Sequence, residues 1–401
     1  MSKGDSVILI DATPLQTEHR YRGTGAYTAG LLDALTDPTN PIPCDSRVAP
    51  LGLLAQPPRP SDLPLLAELL TRDTRTIPLT RPRWPRYRLQ PLLGPLFVAP
   101  AVRRARPRVY HATEPQGLVR VHGVATVATL YDLIPLRHPG AHYPLRRLDA
   151  RLGYARYLRE LQRVDRLIAI SEATKQEAVE RLRISPERIA VTPLAVDERR
   201  FYPRSTEEVD RALARHGLRR PYVLHVSASN YHKNTDNVAQ AFDLFAGQAG
   251  PGGAEHTLVI VGSWSPRALA GLRAAYPRLV ESGRLRVLGF VPDDDLPALY
   301  GGADALVYPS LVEGFGLPVL EAMRCGCPVL TSGVSSLPEV AGGAALYVDP
   351  YSVEEIAAAL GSLAAQPDLR AALARRGLQR AEGFTWRRTA EATLRVYEEL
   401  L

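Results

Sequence analysis

At 401 residues the chain is too long for one ordinary core and suits two domains of roughly 100–200 residues each, with a cleft between them. A composition of 45% hydrophobic and 23% charged residues, with a mean hydropathy of −0.12 and no apolar run of about 20 residues, excludes a membrane-spanning chain and predicts a soluble globular protein. The net charge of +7 and pI near 9.4 call for an anionic partner, and three cysteines (Cys44, Cys325, Cys327) are too few for a disulfide framework.

Val7 to Asp11 predicts a first buried strand, Arg22-Gly23-Thr24-Gly25 a glycine turn, and Ala26 to Leu35 a helix, together the opening of a nucleotide-binding type of fold. From Gln56 to Arg108 prolines recur beside Arg81, Arg83, Arg86 and Arg88, which predicts irregular loops and short helices. Val109 to His111 and Ala125 to Leu130 read as short parallel strands buried on both faces. Between Leu145 and Val164 the residues Leu148, Leu152, Ala155, Leu158 and Leu161 keep a helical period, with Arg147, Arg151, Arg156 and Arg163 on other faces. Such a basic amphipathic helix either packs on the core with its arginines in water or leans on an anionic membrane surface.

Leu167 to Ile170 is a further strand, Ser171 the N-cap of a helix through Leu182, and Ile189 to Thr192 another strand. The charged stretch Asp197 to Arg220 reads as a linker, after which the pattern restarts. Tyr222 to Val226, Thr257 to Val261, Leu285 to Leu288, Ala305 to Tyr308, Val329 to Thr331 and Ala345 to Val348 are strand candidates, and helical stretches lie between most of them. The fold class expected is α/β, two Rossmann-like doubly wound domains: 1–200, 201–385, and a closing helix 386–401 whose apolar face docks back on the first domain. The polar start before Val7 lacks the form of a signal peptide, and the expected compartment is the cytoplasm.

The stretch Tyr308-Pro-Ser-Leu-Val-Glu313-Gly314-Phe315-Gly316-Leu317-Pro318-Val-Leu-Glu321-Ala-Met323 carries the chemistry. A strand ends at Tyr308, two glycines let backbone amides approach a ligand, and Pro318 suits the first turn of a helix. Anionic nucleotides bind at the carboxyl ends of such strands and at free helix N-H groups. Glu313 and Glu321 supply two acceptors for the hydroxyls of a sugar.

This stretch resembles the Glu-x7-Glu signature of the family-four retaining glycosyltransferases, which have the GT-B fold, and the likeness is greatest to bacterial mannosyltransferase-type members. The resemblance implies that Glu313 faces the transferred sugar and Glu321 the ribose of a nucleotide-diphosphate donor. Tyr222 to Asn234 is similar to the family's strand, turn and Arg-Lys-Asn element, with His232 in place of arginine and Ser227 where glycine is common; there Lys233 and Asn234 meet the diphosphate. Phe290 and Val291 match the element that meets the base, and Gly23, Thr24 and Gly25 the N-terminal glycine loop beside the diphosphate. Tyr131-Asp132 matches a segment that often reads His-Asp, which makes Asp132 a candidate for orienting acceptor or sugar. Tyr131 and His111, at neighbouring strand ends, are candidates for the acceptor side.

The resemblance implies donor sugars such as GDP-mannose or a UDP-sugar, and a glycan, lipid-linked or small-molecule hydroxyl acceptor. It implies no cofactor; no metal, because a lysine and backbone amides can stabilise the leaving diphosphate; and no dedicated protein base, because in the family's front-face mechanism the departing phosphate takes the acceptor's proton. The required help is electrostatic: Glu313, Asp132 and Lys233 are the expected catalytic residues, with amides after Gly314 and at Gly23 to Gly25 stabilising the leaving diphosphate. Asp293-Asp294-Asp295 sits at a helix start, where acidic residues serve as caps, and is not read as a metal site.

Three alternatives compete. One is a phosphorylase or nucleotide-sugar-cleaving relative on the same scaffold. Another is an NAD-dependent oxidoreductase, which lacks its third glycine because Thr28 stands there. The third is a non-catalytic basic protein at a membrane surface, which leaves the Glu313 to Glu321 context unexplained. Nucleic acid is not an expected partner, since no RNA-binding or helix-turn-helix signature accompanies the arginines.

Overall fold

A computed structural model describes residues 8–16, 23–43, 51–56, 68, 69, 72, 74–79, 90–137, 148–247, 255–292 and 294–401. Val7, Arg22, Cys44, Arg81, Arg83, Arg86, Arg88, Arg147 and Asp293 of the readings above lie outside them. Two compact units divide the chain: 1–195 with 385–401, and 196–384.

The first unit is built on seven strands, β1 (Ile8–Asp11), β2 (Leu51–Ala55), β3 (Arg75–Pro78), β4 (Val109–Ala112), β5 (Ala125–Leu130), β6 (Arg166–Ala169) and β7 (Ile189–Val191). They form one parallel sheet in the order β3-β2-β1-β4-β5-β6-β7. The second unit has six, β8 (Tyr222–Val226), β9 (Thr257–Val261), β10 (Leu285–Gly289), β11 (Ala305–Tyr308), β12 (Val329–Ser332) and β13 (Ala345–Val348). Their order is β10-β9-β8-β11-β12-β13, again all parallel. In each sheet the strand order reverses once, between β1 and β4 and between β8 and β11. Such a reversal leaves a crevice at the carboxyl ends of the two strands.

The proline-rich stretch holds more order than its composition suggests. It contains β3 and a helix, Gln90–Ala105, with Pro95 and Pro100 inside it. Val98, Ala101, Val102 and Ala105 are buried at a helical period, and this apolar stripe outweighs the lost backbone donors. Gly23, Thr24 and Gly25 form the first turn of the helix Gly23–Thr36 rather than a turn before it. The charged stretch read as a linker contains the helix Thr206–Arg215 in the second unit, opened by a capping box of Ser205 and Glu208. Ser171 caps the helix Glu172–Leu182 by accepting from the Thr174 N-H at 3.0 Å.

The basic helix, Leu148–Leu161, buries Gly153, Tyr157 and Leu161. Leu148 and Leu152, expected on its packed face, are 71% and 53% exposed beside exposed Arg151. Leu158 and Leu161 of the expected stripe do pack on the core, joined there by two aromatic rings, Tyr154 and the buried Tyr157.

The helix Trp386–Glu398 belongs to the first unit although it follows the second in the chain. Leu394, Val396 and Tyr397 pack in one cluster with Ile8, Ile10 and Leu32. The Trp386 indole lies over Gly30 so closely that a Cβ there would meet its ring at 2.1 Å. Thr389 donates to the Pro193 carbonyl at 2.7 Å.

Candidate active site

The second unit concentrates its polar burial at the strand reversal. After β8 the chain makes a short 3-10 turn, Tyr231–Lys233, and Asn234 closes it in the left-handed region at φ 61°. The Asn234 amide donates to the carbonyls of Pro309 (2.9 Å) and Pro350 (2.6 Å). Asn234 therefore ties three loops together, and its amide is engaged with protein rather than offered to a phosphate. The Leu311 N-H donates to the His232 carbonyl at 2.8 Å, which draws the loops after β8 and β11 side by side.

The result is a three-atom junction. Lys233 Nζ donates to Glu313 Oε1 at 2.7 Å and also to the Tyr308 hydroxyl, which itself donates to Glu313 Oε1 at 2.8 Å. Glu313 is only 9% exposed. Burial pushes its carboxyl up, but the positive charge of Lys233, with His232 and the Lys233 hydrogen bond, more than offsets this and holds it below the ordinary glutamate range. An ionised carboxylate thus sits beside an ammonium at the carboxyl end of β11. Together they match the two charges of a sugar diphosphate whose bond is breaking: negative on the phosphate, positive on the sugar.

The loop that carries Glu313 is clamped from below. Its backbone N-H donates to Ser335 Oγ at 2.9 Å, and Ser336 Oγ lies 3.1 Å from the Glu313 carbonyl and 2.8 Å from that of Phe315. Gly316 precedes the helix Leu317–Arg324 at φ 108°, where a Cβ would also come within 2.7 Å of Leu337 Cδ2. Pro318 lies in the first turn, and Phe315 is buried edge-on to Phe384. The helix N-terminus is thereby fixed next to Gly314, with the Val319 and Leu320 N-H groups donating to the Gly316 carbonyl at 3.0 and 3.3 Å. Glu321, a turn inside the helix, accepts from the Tyr300 hydroxyl at 2.8 Å.

Phe290 and Val291 follow β10 on the same sheet edge, since all six strands are parallel. Phe290 is 64% exposed and Val291 buried. The close backbone approach beside Ser227 is made by Gly262, where a Cβ would meet the Ser227 carbonyl oxygen at 2.2 Å. Asp295 is held by His216 at 2.9 Å and by Arg215, and its carboxyl is lowered mainly by the Arg215 hydrogen bond, so its oxygens are engaged by protein side chains. Cys325 and Cys327 are buried thiols whose pKa values burial pushes up, as small packing residues.

In the first unit the candidates separate. His111 has no exposed surface: Nδ1 is 2.6 Å from the Tyr397 hydroxyl and Nε2 2.8 Å from Thr129 Oγ1. Burial pushes its pKa down to about 3. A neutral ring with both nitrogens taken is a core group, which corrects its reading as an acceptor contact. The Tyr131 hydroxyl donates to the Thr113 carbonyl at 2.7 Å, and its ring meets Tyr27 edge-on. Asp132 Oδ1 accepts from the Ile134 N-H at 3.0 Å. Tyr308, Tyr300, Ser335 and Ser336 escaped the motif reading, which took Tyr308 only as the end of a strand and could not show which hydroxyls tertiary packing aims at the glutamates.

Two parallel, doubly wound units in one chain are the architecture of GT-B glycosyltransferases. HepE of Anabaena, crystallised with UDP and glucose, shares it with a TM-score of 0.72 at 18% identity, over 98% of this chain and 99% of that one. Residues 207–380 match the family described as glycosyl transferases group 1, and residues 54–200 that described as glycosyltransferase family 4. O-antigen chain mannosyltransferase B of Escherichia coli is 32% identical over 321 residues, 77% of this chain and 79% of that protein. The serotype-specific mannosyltransferase WbdA of Escherichia coli is 31% identical over 69% of this chain, which spans 34% of WbdA's length. The chain belongs to the family-four glycosyltransferases and transfers a sugar.

Proposed function

We propose that the protein is a retaining, metal-independent hexosyltransferase that takes mannose or a related sugar from a nucleoside diphosphate and passes it to a hydroxyl of a glycan, a lipid-linked saccharide or a small molecule. The observation that carries this reading is the pairing of half-buried Lys233 with buried Glu313 at 2.7 Å beside the helix N-terminus after Gly316. Lys233 and the amides near Gly314 receive the diphosphate, Glu313 meets the transferred sugar, and Glu321 accepts from the ribose. Phe290 presents an exposed ring and Val291 its backbone to the base. The mannosyl preference is supported by the relatives' names, and a UDP donor by the ligands of HepE.

A thermal-shift screen against GDP, UDP, ADP and dTDP tests the donor assignment, since a ligand that binds only the folded chain raises its unfolding temperature. One or two of the four should stabilise it, and the shift should persist when salt is raised. Stabilisation by none, or by all four in a salt-sensitive way, would overturn the donor pocket. With the selected sugar nucleotide, NMR of the product should show the donor's anomeric configuration kept, and turnover should survive EDTA. An inverted anomer, or activity abolished by EDTA and restored by manganese, would refute the retaining or the metal-independent part.

A further inference from the structure

The two glutamates share an arrangement that the motif itself does not contain. Each receives a hydrogen bond from a phenol with no exposed surface: Tyr308 to Glu313 Oε1 and Tyr300 to Glu321 Oε2, both at 2.8 Å. The phenols come from different elements, Tyr308 from the end of β11 and Tyr300 from the helix Leu296–Gly302, packed near Phe201. Burial, reinforced by the neighbouring carboxylates, raises both phenols well above the ordinary tyrosine range, so each remains a proton donor over the working pH. A glutamate side chain loses about 1.5–2 kcal/mol of rotamer entropy when fixed. A salt bridge to a flexible lysine alone orients it poorly, whereas a ring locked in the core supplies a donor at one fixed point.

We propose that Tyr308 and Tyr300 are positioning residues, each seating one glutamate of the pair: Tyr308 fixes Glu313 together with Lys233, and Tyr300 fixes Glu321. This rests on the reading of Glu313 and Glu321 as the sugar and ribose contacts. Tyr308 then acts on turnover and Tyr300 on nucleotide affinity, because a contact strengthened in the transition state appears in kcat and a uniform one in binding.

The test uses Tyr308→Phe and Tyr300→Phe, which keep the rings, beside Glu313→Gln and Glu321→Gln. Steady-state kinetics, calorimetric binding of GDP or UDP, and thermal unfolding are measured for each. Tyr308→Phe should lower kcat about tenfold with the bare nucleotide Kd nearly unchanged. It should also move the acid limb of kcat/KM to higher pH, since a donor that favours the ionised carboxylate is gone. Tyr300→Phe should weaken nucleotide binding about tenfold and leave kcat nearly unchanged. In the Glu313→Gln background, Tyr308→Phe should add little, because its effect passes through that carboxylate.

Parallel losses of kcat, affinity and unfolding temperature in both phenol variants would mean a structural role only and overturn the proposal. So would wild-type behaviour, or a full tenfold loss in the Glu313→Gln background. If the glutamate variants themselves fail to split turnover from affinity, the underlying donor reading fails; if they split and the phenol variants do not, this inference fails alone.

Discussion

Both units bury a titratable side chain at the reversal of their sheets, and they use it in opposite ways. On β4 of the first unit, His111 is surrounded by the hydroxyls of Tyr397 and Thr129 and stays neutral. Just after β11 of the second, Glu313 faces the ammonium of Lys233 and stays ionised. The first arrangement satisfies hydrogen bonds and adds nothing a ligand can use. The second keeps two opposite charges partly withdrawn from water, where each acts on anything that replaces its partner. Burial alone therefore does not mark a site; the kind of partner does.

The sharpest way to break this contrast is to remove each group. Glu313→Ala should lower turnover roughly ten- to a hundredfold by loss of a charged hydrogen bond while bare nucleotide binding stays close to wild type. Equal loss of nucleotide affinity would place the donor the other way along the loop. Glu321→Ala should instead weaken the bare nucleotide and the sugar donor together, which competition binding measures.

His111→Ala should cost about 2–5 kcal/mol of folding stability, from the cavity and the lost hydrogen bonds to Tyr397 and Thr129, and leave nucleotide affinity in the second unit intact. The pH dependence has a defined sign. Because the folded pKa of His111 is depressed to about 3 from its ordinary 6.5, its contribution is complete above about pH 6.5 and is lost as pH falls towards 3. His225, locked between the Val307 carbonyl and Thr235 with a pKa pushed down to about 4, gives the second unit the same acid sensitivity. Acid unfolding of the His111→Ala variant should be correspondingly flatter; an unchanged profile would show that the ring titrates alike in both states.

A smaller effect is expected at Gly30→Ala, about 1–3 kcal/mol, because the new Cβ must displace the Trp386 indole. The smallest is expected at Leu148→Ser and Leu152→Ser, within about 0.5 kcal/mol for exposed positions. A large fall in unfolding temperature there would return both leucines to the core. Loss of salt-sensitive flotation with anionic liposomes would instead tie them to a membrane surface.

The second unit was nearly transparent in the sequence. Its six strands are short and apolar, the four central ones almost wholly buried, and its glutamates stand among glycines and a proline whose conformational needs are specific. The first unit was half legible. β2 and β3 went unread, β3 and the helix Gln90–Ala105 because prolines mask an apolar period that is nevertheless present at Val98, Ala101, Val102 and Ala105. His111 looked like a site residue because a strand end is where ligands bind, and its true partner, Tyr397, lies 286 positions away. The phenols under the glutamates were hidden for the same reason: which hydroxyl reaches which carboxylate is decided by packing between elements that no local window contains.

The return of residues 385–401 to the first unit fixes an order of assembly. On a ribosome, residues 196–384 are an uninterrupted segment and have every strand of their sheet before the last turn of chain is made. The unit begun first must wait for Trp386 to cover Gly30 and for Tyr397 to reach His111. Until then the apolar faces of Ile8, Ile10 and Leu32 lack part of their cover. The core of the unit begun first is therefore complete only after the second unit has been synthesised.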